Sequence, residues 1–441
     1  MAAESNGAAV QRGVRPTTMV LVLLCLMYAI TYIDRVNVST AAAEFRKELN
    51  LSNTQVGLVF SAFAYPYLIF QIIGGWVGDR FGARRALTIA GVIWASATVL
   101  FGLVGSLTGM IVARFMLGFG EGATFPVATR AMSDWTPAGK RGFAQGITHS
   151  AARLGNALTP PLIAWMMVIP FITWRGSFII MGLISLVWVL VWGLYFRDNP
   201  RDHPAITASE IDRLPKFRTR EDRKKEPTPW GRLFRRMLPV TIVYFCYGWT
   251  LWLFLAWIPQ YFLQSYQLNL RDSAIFAAGV FFGGVVGDSL GGIVSDRIYE
   301  KTKDRNKARR NLVVIGFIGS LLCTLPILFV HNVTWAAICL SAGFFFAEFT
   351  IGPMWAIPMD IAPRYAGTAS GIMNSGSALA AIISPVIAGY VIDRTGVWEL
   401  PFIGSIGLLL LGSVLAFWMH PDKELDEPTV GPKLAVKEAT V

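Results

Sequence analysis

Apolar runs of eighteen residues or more recur from one end of this chain to the other. Each is long enough to cross a hydrocarbon core of about 30 Å as a helix. Only 15% of the 441 residues are charged, against about 25% in an average soluble protein. The mean hydropathy is +0.50. These features predict an all-α, polytopic membrane protein. At about 20–25 residues per span plus short loops, the length accommodates twelve spans. The runs place them at 18–41, 54–77, 87–106, 109–131, 142–165, 174–196, 238–263, 273–295, 311–330, 334–358, 366–392 and 396–419.

The stretch from Arg197 to Met237 breaks this rhythm. Arg213, Lys216, Arg218, Arg220, Arg223, Lys224, Lys225, Arg232, Arg235 and Arg236 alternate there with acids and prolines. Such a segment buries too little apolar surface to span, so it reads as a polar linker. The expected organisation is a tail over 1–17, a six-helix bundle over 18–196, a linker over 197–237, a second six-helix bundle over 238–419 and a tail over 420–441.

Basic residues set the expected orientation, because cytoplasmic loops collect Lys and Arg. Arg80, Arg84 and Arg85 follow span 2, and Lys140 and Arg141 follow span 4. The linker follows span 6, and Arg297, Lys301, Lys303, Arg305, Lys307, Arg309 and Arg310 follow span 8. The alternate loops hold only Arg46 and Lys47, Arg271 and Arg394. Both termini are therefore expected in the cytoplasm of a bacterial inner-membrane protein. The same rule accounts for the net charge of +11 without nucleic acid as a partner. Arg12 and Arg15 before an apolar run, with Ala41-Ala42-Ala43 after it, mimic a signal peptide. The run is too long and contains Asp34 and Arg35, so a retained first helix is expected. Cys25, Cys246, Cys323 and Cys339 lie in apolar stretches without metal-like spacing and read as small core residues.

The two halves echo each other. Gly74-Gly75-Trp76-Val77-Gly78-Asp79-Arg80-Phe81-Gly82-Ala83-Arg84-Arg85 stands between spans 2 and 3. Gly291-Gly292-Ile293-Val294-Ser295-Asp296-Arg297 stands between spans 8 and 9. A device repeated at matching positions marks an internal repeat, as in transporters built from related halves. Glycines allow close helix approach. Asp79, Arg80, Arg84, Asp296 and Arg297 are expected to latch neighbouring helices on one side of the membrane. A latch that breaks when the halves rock has a gating role.

On those residues the chain resembles the major facilitator superfamily, and Arg114-Phe115-Met116-Leu117-Gly118-Phe119-Gly120 in span 4 supports the likeness. It further resembles the anion:cation symporter family over nearly its whole length. That likeness rests on Tyr32-x-Asp34-Arg35-x-Asn37, Phe60-Ser61-Ala62-Phe63-Ala64-Tyr65-x-Tyr67, Arg114 with Glu121-Gly122-x-x-x-Pro126, and Leu158-Thr159-Pro160-Pro161. The resemblance implies twelve helices in two pseudo-symmetric bundles, proton-coupled uptake of a small organic anion, and a site near the midplane. It implies that Asp34 and Glu121 carry protons. It further implies that Arg35 and Arg114 hold the substrate or the acids, and that Tyr32 and Tyr67 hydrogen-bond the substrate. Trp355 and Asn374 match family positions lining the cavity.

The residues support such a site on physical grounds. A charge at the middle of a membrane helix costs about 2.5–3.5 kcal/mol on insertion scales, so it is kept mainly where it functions. Arg114 and Glu121 are two helical turns apart on one face of span 4. With Asp34 and Arg35 they make a set of two acids and two bases. An incoming anion unbalances this set by one charge, and protonating a carboxylate restores it. His149 and Arg153 share a face of span 5, where Arg153 would add a third cation suited to a dianion. Glu348 is an intramembrane acid without an obvious partner, Asp288 reads as gating or packing, and Arg130 reads as structural.

Departures from the family narrow the substrate. Its sugar-acid carriers have a glutamine where Ala152 stands, and hydroxyl side chains where Gly352 and Met354 stand. Buried substrate hydroxyls without partners would cost about 1–3 kcal/mol each. A poorly hydroxylated anion is expected: a sulfoacetate-like sulfonate, a dicarboxylate or an aromatic carboxylate. Sugar-acid symport, exchange and export remain alternatives. No G-x-S-x-G, H-E-x-x-H or nucleotide loop is present and the four histidines are scattered, so an enzyme is not expected, nor a metal or cofactor. A monomer is expected.

Overall fold

The computed structural model describes residues 14–425 apart from 52–54, 56, 57, 61, 170, 216–227, 269, 330 and 331. The outer parts of both expected tails, the linker residues Lys216, Arg218, Arg220, Arg223, Lys224 and Lys225, and Ser61 of the family motif lie outside the described residues.

Twelve long helical elements follow one another: α1 Pro16–Thr40, α2 Ala64–Phe81, α3 Ala83–Leu103, α4 Leu107–Trp135, α5 Arg141–Val168 and α6 Trp174–Tyr195. Then come α7 Trp230–Ser265, α8 Leu270–Thr302, α9 Asn311–Thr324, α10 in two pieces Val333–Glu348 and Ile351–Ile361, α11 Ala366–Thr395 and α12 Leu400–Leu415. The break in α10 has a covalent cause, since Pro353 has no N–H to offer the Phe349 carbonyl one turn back. The tight turn between α2 and α3 is made by Gly82, whose φ of 91° suits only glycine. Helix α7 begins at Trp230, inside the stretch expected to be linker. Leu233 and Met237 there are buried, and Arg236 donates to the Met419 carbonyl at 2.7 Å. Arg232 and Arg235 thus stand on the solvated face of a helix end.

Among the described residues, ten helices are long and apolar enough by themselves to cross a membrane. Helices α4 and α5 are not among them, yet they pack against those that are. Buried Arg114, Glu121 and Arg130 lie in α4, and Arg141, His149 and Arg153 in α5. Neighbouring helices shield these side chains from lipid, which is where intramembrane charge is tolerated.

Within the first half, α3 packs on α4 and α6, α2 on α4, and α1 on α5. Within the second, α7 packs on α11 and α12, and α10 on α8 and α9. The halves meet chiefly where α5 lies on α8 and α10, and where α11 lies on α2 and α4.

Two related latches close one end of that seam. Asp79, at the end of α2, accepts from the Gly367 N–H at 3.0 Å and from the Thr368 N–H and hydroxyl at 2.6 Å each. Asp296, in the last part of α8, accepts from the Gly142 and Phe143 N–H groups at 3.0 and 2.6 Å. Both aspartates therefore cap the first turn of a helix belonging to the other half, where free N–H groups and the helix dipole favour an anion. Close approach is obligatory, since a Cβ on Gly75 would run into the Gly367 carbonyl and one on Gly146 into that of Asp288. Arginines complete each latch. Arg130 pairs with Asp134 at 2.7 Å, approaches Asp79 to 4.0 Å and donates to the Pro363 carbonyl at 2.7 Å. Arg309 bridges Asp296 at 3.0 Å and Asp360 at 3.1 Å, and Arg141 crosses from α5 to Asp360 at 2.9 Å.

Of the five residues expected at the gate, the structure brings Asp79 and Asp296 to the seam. Arg80 lies over the Trp76 ring at 5.8 Å. Arg84 ties α3 to α6 through the Gly193 carbonyl at 2.7 Å. Arg297 is exposed, and the cation on Asp296 is Arg309 from the π-helical turn Asn306–Arg310 that leads into α9. Asp79→Asn would set an amide NH2 against backbone donors, and breaking such a buried charged contact costs about 3–5 kcal/mol. Buried Ser370, changed to Cys in a protein lacking its four native cysteines, should then react faster with a water-soluble maleimide. An unchanged labelling rate would show that this latch does not hold the end closed.

Candidate functional site

A cavity of about 600 Å³ lies between the halves. Its walls include Tyr32 and Arg35 of α1, Tyr67 of α2, Arg114 of α4, Arg153 and Asn156 of α5, Trp252 of α7 and Phe281 of α8. On α2, α5, α8 and α11 these residues stand at least nine positions from the latch, or about 13 Å along a helix. The cavity therefore belongs to the midplane and to the end remote from the latches.

Asp34 and Arg35 are adjacent in sequence but point apart, because successive helical residues differ by about 100° in direction. Asp34 is buried and accepts from the Ser185 hydroxyl at 3.3 Å, on α6. Arg35 faces the cavity and pairs through Nε with Glu121, joining α1 to α4. Its guanidinium lies 4.6 Å from the Tyr67 ring centroid and 5.0 Å from those of Tyr32 and Phe125. Aromatic faces stabilise a cation by about 0.5–2 kcal/mol each. They leave Arg35 fixed in place, with an Nη2 group that has no hydrogen-bond partner. Arg114 lies over the Phe63 ring at 5.0 Å and donates to the Val59 carbonyl at 3.4 Å. One Glu121 oxygen and one Asp34 oxygen likewise lack a hydrogen-bond partner.

Arg153 of α5 also reaches the cavity, its guanidinium 5.7 Å from the Tyr32 ring centroid. It donates to the Tyr32 hydroxyl at 3.3 Å, the Tyr247 hydroxyl at 3.2 Å and Glu348 at 3.0 Å. Its Nε is 3.9 Å from Asp288. The partner of Glu348 is thus an arginine of the other half. Three guanidinium groups face one cavity, whose other polar walls among the described residues are Tyr32, Tyr67, Asn156 and the indole of Trp252.

The remaining expected residues sit on the latch side of this space. His149 and Trp355 pack with ring centroids 4.9 Å apart, and Trp355 donates to the Tyr244 hydroxyl at 2.7 Å. With Tyr28 and Phe125 they form an aromatic layer between the cavity and the latches. Asn374 donates to Gln71 at 2.8 Å across the α2–α11 contact. Ala152, Gly352 and Met354 are all buried and none lines the cavity. The missing side chain at Gly352 has a packing cause, since a Cβ there would meet the Gly292 backbone and the Gly142 carbonyl. The narrow hydrogen-bonding capacity expected from those departures comes instead from the walls themselves. Tyr244 and Tyr247 were not singled out from the sequence, although two tyrosines three apart in an apolar helix share a face and gave the signal.

The sequence model described as Major Facilitator Superfamily matches residues 24–385, with an overlapping match over 304–439. The chain is 47% identical over 412 residues to the probable sulfoacetate transporter SauU of Cupriavidus necator, covering 93% of this chain and 95% of that one. It is 30% identical over 421 residues to the probable galactarate/D-glucarate transporter GudP of Escherichia coli, covering 90% and 92%. It is 28% identical over 402 residues to the hexuronate transporter of Bacillus subtilis, again covering 90% and 92%. Among solved structures, the human organic anion transporter MFSD10 matches with a TM-score of 0.70 at 15% identity, over 91% of this chain and all of that one. The E. coli fucose:proton symporter FucP matches with a TM-score of 0.69 at 14% identity, over 92% and 99%. At these identities the two structures speak for the fold alone. The chain belongs to the Major Facilitator Superfamily, as a multi-pass membrane transporter and not an enzyme.

Proposed function

We propose that this protein imports a compact, poorly hydroxylated organic dianion together with protons. The observation that carries the reading is the convergence of Arg35, Arg114 and Arg153 on one cavity with few neutral hydrogen-bonding groups. A planar guanidinium matches carboxylate and sulfonate oxygens and keeps its charge. A polyol in the same space would leave hydroxyls facing Phe60, Phe63, Trp252, Leu255 and Phe281. Among the relatives, the sulfoacetate carrier at 47% identity favours a short sulfonated carboxylate. The sugar-acid carriers near 30% identity favour the competing reading.

Coupling rests on Asp34 and Glu121. The anion competes with Glu121 for Arg35, and a released carboxylate in a low-dielectric site is neutralised by a proton. The positive-inside rule puts the latched end in the cytoplasm of a bacterial inner membrane, so the cavity is the one offered to the outside. The bundles 18–196 and 238–419 then rock about the seam, with Asp79 and Asp296 letting go as the cavity closes.

An inward pH gradient should accelerate sulfoacetate uptake into proteoliposomes, and Glu121→Gln should abolish that acceleration while sparing exchange. Uptake indifferent to the gradient in both proteins would defeat the coupling. Arg114→Gln should raise the KM for the same anion by about ten-fold or more, one charge-assisted contact being worth about 1.5–3 kcal/mol.

Ligands that bind only the folded state raise its melting temperature, by about 2.7 kcal/mol of stabilisation at a hundred times Kd. Sulfoacetate and short dicarboxylates should stabilise the purified protein, and gluconate or glucarate should not. The reverse ranking would establish the sugar-acid reading.

A further inference from the structure

Behind Arg153, away from the cavity, two acids share its single charge. Glu348 of α10 accepts from Arg153 at 3.0 Å, and Asp288 of α8 stands 3.9 Å from the Arg153 Nε. Both side chains are fully buried, and their carboxyl groups adjoin each other. Neither oxygen of Asp288 has a hydrogen-bond donor, nor does the Arg153 Nε donate to anything. The other groups facing this cluster are the Tyr32 hydroxyl from α1 and those of Tyr244 and Tyr247 from α7, Tyr247 donating to Glu348 at 2.8 Å. His149 lies one turn from Arg153 on α5.

Two carboxylates in contact against one guanidinium would leave a net negative charge buried between helices. Repulsion and desolvation together exclude the doubly ionised state, whereas one proton held between the acids gives Asp288 the donor it lacks. We propose that Asp288 and Glu348 form a second proton-carrying site, distinct from Asp34 and Glu121, whose occupancy is set by the position of Arg153. With Arg153 on Glu348, the pair holds one proton. When a second anionic group of the substrate draws Arg153 into the cavity, Glu348 loses its counter-charge and takes a further proton from water onto its carboxylate oxygen. Arg153 belongs to the first half and both acids to the second, so the exchange spans the seam that opens and closes. The resident proton follows from the cluster alone, while its gain on binding rests on the dianion reading above.

Infrared spectroscopy and proton uptake in weakly buffered solution separate the two parts. The absolute spectrum of the purified protein should contain a protonated-carboxyl band that persists in Glu121→Gln and disappears in Asp288→Asn. A band unchanged in both Asp288→Asn and Glu348→Gln, or no such band at all, would overturn the resident proton. On addition of sulfoacetate, the wild-type protein should take up one more proton per molecule than the double variant Asp288→Asn/Glu348→Gln, since either acid left alone would still gain a proton when Arg153 leaves. Equal uptake would overturn the coupling through Arg153. Failure of sulfoacetate and short dicarboxylates to bind would overturn both the dianion reading and the gain of a proton, and leave the resident proton to the absolute spectrum. Asp288→Asn and Glu348→Gln perturb the same site independently, so misfolding of either leaves the other as the test.

Discussion

A carboxylate taken out of water must be given hydrogen bonds, and at the closed end of this molecule the donors come from the opposite half. Asp79 is fed by the first turn of α11, and Asp296 by the first turn of α5. Each contact satisfies two liabilities at once, a buried charge and the unpaired N–H groups of a helix start. The remaining architecture follows from it. Because the seam is shut there, the cavity lies toward the other end, and the aromatic layer around Trp355 becomes its floor.

Above that floor, several charged groups are only partly satisfied. Arg35 has Glu121 but keeps one nitrogen without a partner, and Asp34 and Glu121 each keep one such oxygen. In a packed core such loose ends would be expensive defects. In the proposed mechanism, which trades one set of ionic partners for another, they are the places where a ligand or a proton would enter.

The sequence displayed the parts of this molecule that depend on local pattern. Span positions follow from hydropathy, and the two latch aspartates follow from a glycine-framed motif repeated at matching places. The side chains facing the cavity were legible wherever a charge interrupts an apolar helix, as at Arg35, Arg114 and Arg153. Partnerships were not legible, because they join residues far apart in the chain. Arg35 pairs across to Glu121 and not with adjacent Asp34, a consequence of helical geometry. Arg309 comes to Asp296 from a helical turn whose basic residues look alike in sequence. Glu348 finds Arg153 and Tyr247 on two other helices, and Gly352 is small because three backbones meet there. The substrate proposal rests on a different ground from the one that suggested it, on the cavity walls and not on Ala152, Gly352 or Met354.

The latches have a further consequence for how the sequence of such a carrier can drift. An ion pair between two side chains is written twice in a gene and can be lost from either side. Here the receiving partner is main chain, present whatever side chain is encoded. Apart from the hydroxyl of Thr368 and the guanidinium of Arg309, the donors on Asp79 and Asp296 would be deleted by a single substitution only if it introduced proline. Half of each latch is therefore insensitive to most mutations and leaves no mark in the sequence of the helix that supplies it. The heritable record of the backbone part of the contact is concentrated in two aspartates and in the glycines that let the backbones meet.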